Sequence, residues 1–116
     1  MEHKDLDAWK KSIDLVETVY TITKKFPKEE LFCLVQQMRR CAISVPSNIA
    51  EGCARKNDAE TIQFLYIAMG SLSELETQLI LSERIGYGNF TQEIEQLLIV
   101  KQLIIGLLKY LKNKKM

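Results

Sequence analysis

Apolar residues recur at three- and four-residue steps in four separate runs of this chain. Leu6, Trp9, Ile13, Val16 and Tyr20 fall on one helical face, and Leu15, Val19, Ile22 and Phe26 make an adjacent stripe. They predict a first helix over 7–25, with Asp5 or Asp7 at its start, where a carboxylate suits both cap and dipole. "FPKEE" ends that run. Phe26 precedes a proline and is pushed off helical angles, while Pro27, Glu29 and Glu30 suit the first turn of a new helix. The second helix is therefore predicted over 27–52. Its inner stripe is Leu31, Leu34, Met38, Cys41, Val45 and Ile49, with Val35 and Ala42 beside it and Gly52 as a stop signal. Asn57 and Glu60 have capping-box spacing before a third helix over 58–85. Leu65, Ala68, Leu72, Leu75 and Leu79 mark its inner face, flanked by Phe64, Ile67 and Ser71. "GYGNF" is the next break. Asn89 or Thr91 opens a fourth helix over 91–112, with Ile94, Leu97, Ile104, Leu108 and Leu111 inside and Leu98 and Ile105 flanking. Short links make neighbouring helices antiparallel. The expected fold is all-α, an up-down-up-down four-helix bundle in one domain over 1–116.

Composition agrees with that pattern. A chain of 116 residues can bury a real core, and only two prolines and five glycines argue against a many-turned β fold. The apolar arcs are wider than a bundle core needs. "LLIVKQLIIGLL" in the fourth helix is apolar on nearly every side, so a homo-oligomer is expected. Hiding some 800 Å² per subunit would supply on the order of 20 kcal/mol gross, before the costs of association. Net charge is only +1, which excludes strong whole-chain attraction to nucleic acid. The charges are segregated, however. From Asn57 to Val100 the only basic residue is Arg84, against seven acids, and the tail from Lys101 has five lysines and no acid. Acidic middle and basic tail either attract each other between copies or are simply solvated. Cys33, Cys41 and Cys53 have no CxxC spacing and read as small buried hydrophobes of a reducing compartment. The start carries no apolar signal core and no apolar run reaches membrane-spanning length, so a cytoplasmic protein without membrane contact is expected.

The second helix holds the unusual chemistry, in "RRCAISVPSNIAEGCARK". Pro46 removes a hydrogen bond to the Ala42 carbonyl and predicts a kink, with Ser47 and Asn48 placed to compensate by bonding nearby backbone. Gln36, Arg40, Ser44 and Asn48 follow at four-residue steps as one polar ribbon. Arg39 and Arg40 are expected in solvent or paired with acids such as Glu29 or Glu74. Enzyme chemistry has little to build on. The single histidine, His3, lies at the start of the chain, so no Ser-His-Asp or Cys-His set forms within the bundle. Glu-x-x-His is absent, and "GYGNF" lacks the lysine-serine of a phosphate loop. Glu74 and Glu76 point about 200° apart on a helix and make no carboxylate pair. A non-enzymatic protein with no cofactor and no metal is expected.

"LDAWKKSIDLVETVYTITKKFPKEE", "QMRRCAISVPSNIAEGCAR" and "FLYIAMGSLSELETQLILSERIGY" resemble the four-helix-bundle proteins encoded by intervening sequences of bacterial 23S ribosomal RNA genes. Accessory proteins of diversity-generating retroelements look like relatives. The resemblance spans roughly Leu6 to Leu111, with "SVPSNIAEG", "FP" and "AMGSLSELE" its most specific pieces. It implies an antiparallel four-helix bundle, a homopentameric ring, and RNA or DNA binding through basic residues. Carried onto this chain, those residues match Arg39, Arg40 and Arg55, with Lys10 a further candidate. Phosphate contact by position adds Lys11, Lys56 and the lysine tail. The expected function is a low-specificity nucleic-acid scaffold. The alternative is a protein-interaction scaffold or accessory subunit for a partner enzyme such as a reverse transcriptase.

Overall fold

The computed structural model describes residues 1–114. Four helices occupy most of them: α1 Asp7–Thr23, α2 Leu34–Cys53, α3 Asp58–Ile85 and α4 Thr91–Asn113. Single 3-10 turns lie at His3–Asp5 and Lys28–Glu30. Among the described residues there is no strand, and no helix is long and apolar enough to cross a membrane.

Local chemistry sets most helix ends. Asn57 Oδ1 accepts the Glu60 amide at 2.9 Å, and its Nδ2 donates to Glu60 Oε2 at 2.8 Å, so α3 starts on a reciprocal cap. Gly86 closes α3 in the left-handed region at φ 101°, its amide reaching Ser82 and Glu83 carbonyls. At the start of α1 neither Asp5 nor Asp7 acts as a side-chain cap. Leu6 is the cap residue and Asp7 lies in the first turn, where its charge still faces the dipole.

The largest correction concerns the second helix. It begins at Leu34, seven residues after Pro27. Pro27 stays extended at ψ 146°, one 3-10 turn follows, and Cys33 is far from helical at φ −123°, ψ −103°. Long-range contacts explain the detour. The Phe26 ring is buried against Tyr87 and Phe90, with centroids 5.1 and 5.8 Å away, and Tyr87 Oη donates to Glu30 Oε2 at 2.6 Å. Holding Phe26 and Glu30 at the Tyr87 end of the bundle bends this link out of a helix. Leu31 and Cys33, expected inside, are exposed as a result.

The inner face of α1 also differs from its most apolar stripe. Ala8, Ser12, Leu15, Val19 and Thr23 face the core, while Trp9, Ile13 and Val16 are half-buried and Tyr20 is exposed. Ser12 and Thr23 tolerate burial because their hydroxyls donate to the Trp9 and Val19 carbonyls, each at 2.7 Å.

Each helix packs on two neighbours: α1 on α2 and α4, and α3 on α2 and α4. Contacts between α2 and α3 run in opposite chain directions, from Met38–Ser82 through Cys41–Gln78 and Ser44–Ser71 to Gly52–Thr61. The result is a rod of 50 × 22 × 20 Å whose axis is filled by Leu15, Met38, Ile49, Leu72, Leu79 and Ile104, all with no exposed surface. Gly52 does not stop α2, which continues to Cys53. Its role is close approach. A Cβ there would lie 2.9 Å from Phe64 Cβ and 3.2 Å from the Thr61 carbonyl oxygen, so the two helices meet at this end only because residue 52 has no side chain.

Candidate functional site

The helix α2 runs unbroken through Pro46, which is buried. Neither neighbouring polar side chain replaces the hydrogen bond lost at Ala42. Asn48 Nδ2 instead donates to the Ser44 carbonyl and to Ser44 Oγ, at 2.8 and 2.9 Å. Ser44 Oγ lies 2.8 Å from Ser71 Oγ on α3. The ribbon expected along α2 is therefore divided. Ser44 and Asn48 tie α2 to α3, Ser47 is exposed, and Gln36 and Arg40 face solvent near the start of the helix.

Arg39 and Arg40 sit at that same end. Arg39 Nε donates to Thr23 Oγ1 at 3.0 Å, and its guanidinium lies 4.5 Å from the centre of the Tyr20 ring. A hydroxyl and an aromatic face thus hold the side chain without neutralising it. Among the described residues no carboxylate lies within ion-pair distance of Arg39 or Arg40. The expected acids are absent from both arginines. Glu29 is exposed on the 3-10 turn, and Glu74 lies against Cys41.

Both arginines line an open groove of about 320 Å³ where the end of α1 meets the start of α2. Its walls are otherwise apolar: Tyr20, Leu31, Phe32, Val35 and Ile43, with Gln36 at the edge. Phe32 is the most exposed large apolar residue of the described chain, at 84% of its surface, and Leu31 is at 46%. Periodicity did not single out Phe32, because it falls off the buried stripe and in the detour before α2. The available signal was an aromatic residue off the inner face, four positions before Gln36 and eight before Arg40.

The remaining basic candidates lie elsewhere. Arg55 is about 24 Å from Arg39 along the helix direction. Its Nη2 is paired with Glu51 Oε2 at 3.1 Å and its guanidinium covers the Phe64 ring at 4.6 Å. Lys56 is exposed in the α2–α3 link. Lys10 and Lys11 are exposed on the first half of α1, Lys11 in a groove shared with Asp14 and Glu95. The structure thus brings Arg39 and Arg40 together and leaves Lys10, Lys11, Arg55 and Lys56 apart from them. Part of the lysine tail is committed within the chain. Lys114 pairs with Asp58 at 3.6 Å, and Lys112 contacts the Tyr66 hydroxyl and lies over its ring. Lys115 lies outside the described residues.

Two buried polar side chains, Cys41 on α2 and Gln78 on α3, meet inside the bundle. Burial and the neighbouring Glu74 push the Cys41 thiol up to about 11, so it stays protonated near neutrality. Gln78 Nε2 donates weakly to Cys41 Sγ at 3.6 Å, and Gln78 Oε1 has no partner. Among the described residues no three His, Cys, Asp or Glu side chains converge as metal ligands.

Residues 4–109 match the model of the family described as 23S rRNA-intervening sequence protein. None of the curated proteins matches the chain. A solved structure from Bacteroides thetaiotaomicron, described as a protein with unknown function from the S23 ribosomal protein family, superposes with a TM-score of 0.79. It is 24% identical, and the match covers 88% of this chain and 95% of that one. At that identity the likeness shows the fold.

Proposed function

The chain belongs to the 23S rRNA-intervening sequence protein family, and we propose that it works without catalysis, as a self-assembling bundle that holds RNA or DNA with little sequence preference. The observation that carries this reading is the Arg39–Arg40 pair. These two neighbouring arginines have no carboxylate partner among the described residues, and both line one open groove. Arginine suits phosphate because its planar fork donates two parallel hydrogen bonds. Arg55, by contrast, spends its charge on Glu51.

Self-assembly matters because one subunit offers so few free cations. Repeating the pair around an oligomer turns a weak contact into avidity. The exposed apolar residues of α3 and α4 support assembly. Ile67, Leu81 and Ile85 share an outward line on α3, and Ile99 and Tyr110 stand at 55% and 58% exposure on α4. A closed ring of five is the form the family resemblance implies, and it would join unlike faces of successive copies.

The test is binding of mixed-sequence RNA and DNA across a salt series. Affinity should be weak and fall steeply with salt, and joint Arg39→Glu and Arg40→Glu substitution should abolish it while leaving the mass unchanged. No detectable affinity at low salt, with the assembly intact, would overturn the reading. The exposed Leu31 and Phe32 favour a second reading, a scaffold for a partner enzyme. A partner complex that survives the double charge reversal would support it.

A further inference from the structure

Phe32 lies off the buried stripe in the link before α2, and nothing in the described chain covers it. Its ring is almost wholly in water, at the mouth of the groove that holds the two unpaired arginines. An exposed phenylalanine costs solubility and, in this position, contributes little packing to its own chain. Resting on the nucleic-acid reading above, we propose that the ligand of this end of α2 is a single strand, with an unpaired base stacked on the Phe32 ring and the adjacent phosphates on Arg39 and Arg40.

The arrangement fits that ligand better than a duplex. In a duplex both faces of every base are covered by stacking, so an aromatic ring gains contact only by prising a step apart. In a single strand each base presents a free face, and aromatic platforms beside cations are the usual way such strands are held without sequence preference. Gln36, Arg40 and Ile43 lie within about 60° of one another on α2, and Phe32, in the link before the helix, lines the same groove. The strip therefore offers, in order, a ring, an amide that can meet a base edge, a guanidinium and an apolar shelf. Arg39 is already fixed by Thr23 and Tyr20, which lowers the entropy lost when it meets a phosphate. Acids nearby do not close the site. Glu30 is held by Tyr87, and Glu29 is exposed on the 3-10 turn before it.

The experiment compares a labelled oligo(dT) of about 20 nucleotides, longer than one such site requires, with a mixed-sequence duplex of the same length. Wild type, Phe32→Ala, Phe32→Leu, Phe32→Trp and the Arg39→Glu/Arg40→Glu double variant are measured by anisotropy at low salt, with mass determined in parallel. Because Phe32 is so exposed, its replacement should leave folding untouched. Phe32→Ala and Phe32→Leu should each weaken single-strand binding roughly 5- to 150-fold and leave the weaker duplex binding unchanged. Phe32→Trp should retain affinity, and its added emission should be quenched by the strand. Unchanged single-strand affinity in Phe32→Ala, with binding lost in the arginine variant, overturns the stacking and keeps the nucleic-acid reading. No binding by wild type overturns both. A fall in mass on Phe32→Ala makes this face a contact between copies and also overturns the proposal.

Discussion

Gly106 lies in the middle of α4 and points outward. At 100° per residue it lies within about 40° of Ile99 and Tyr110, both exposed, and between them along the axis, so it forms a notch in an apolar line. A Cβ built on Gly106 meets nothing within 4 Å, and its φ is not in the left-handed region. Nothing in the single chain therefore requires glycine there. An exposed glycine inside a helix costs roughly 0.8–1.0 kcal/mol relative to alanine. In an isolated subunit Gly106→Ala should recover about that amount. For a chain of this length the unfolding entropy is near 0.24 kcal/mol/K, so the midpoint should rise by about 4 °C. If a second copy seats a side chain in the notch, the added methyl opposes that contact and the sign changes. Melting curves and light scattering over a wide concentration range separate the cases. The expected outcome is a rise of about 4 °C at dilutions where the protein is monomeric, and a smaller or negative change, with weakened association, where it is assembled. A uniform rise at all concentrations with unchanged mass would refute the reasoning, because α4 would then carry a glycine that no contact uses.

Three further outcomes follow from the packing. Gly52→Ala forces a methyl against Phe64 Cβ and the Thr61 carbonyl, and should cost about 1–3 kcal/mol by urea titration, a midpoint drop of roughly 4–12 °C. Gln78→Met removes a buried acceptor that has no partner while keeping the volume filled, and should stabilise the fold by about 1 kcal/mol in the same assay. Tyr87 donates to Glu30, and that bond pushes its phenol from 10.0 up to about 12. The folded state keeps this proton where the unfolded chain loses it, so the contribution is complete below pH 10 and disappears as pH rises through 12. The stability difference between wild type and Tyr87→Phe should therefore be constant below pH 10 and shrink between 10 and 12, as followed by circular dichroism in denaturant.

The helices α3 and α4 were readable because their signals are local. Asn57 and Glu60 cap through each other, Gly86 supplies the left-handed residue, and the leucine periodicity of α3 fixes its buried face. The start of α2 was not readable for the opposite reason. Its position depends on Phe26 meeting Phe90 and on Glu30 meeting Tyr87, which is 57 residues away in the chain. No periodicity reports such a contact, and Pro27 alone pointed to a helix start. The inner face of α1 was misjudged because Ser12 and Thr23 count as polar in a pattern, yet their hydroxyls are satisfied by their own helix. Among the candidate residues, Arg39 and Arg40 were visible by type. Their freedom from carboxylates was not, because it depends on Glu29 standing in solvent on the 3-10 turn and on Glu74 lying against Cys41.

That detour before α2 links fold to proposed site. Had α2 begun at Pro27, Leu31 would lie on the stripe with Leu34 and Met38, and only Phe32 would face outward, in line with Gln36 and Arg40. Tying Phe26 and Glu30 to the Tyr87 end instead releases Leu31 into solvent beside Phe32, next to Arg39 and Arg40. The exposed apolar surface here is thus a consequence of core contacts made elsewhere. The apolar line on α4 has a different origin, since Ile99 and Tyr110 sit on a regular helix with no local distortion. The two surfaces lie on different helices and share no residue, so contact between copies through α4 leaves the arginine groove open provided that the face meeting α4 is not the groove itself. A subunit built this way can assemble through one face and keep the other free for a strand.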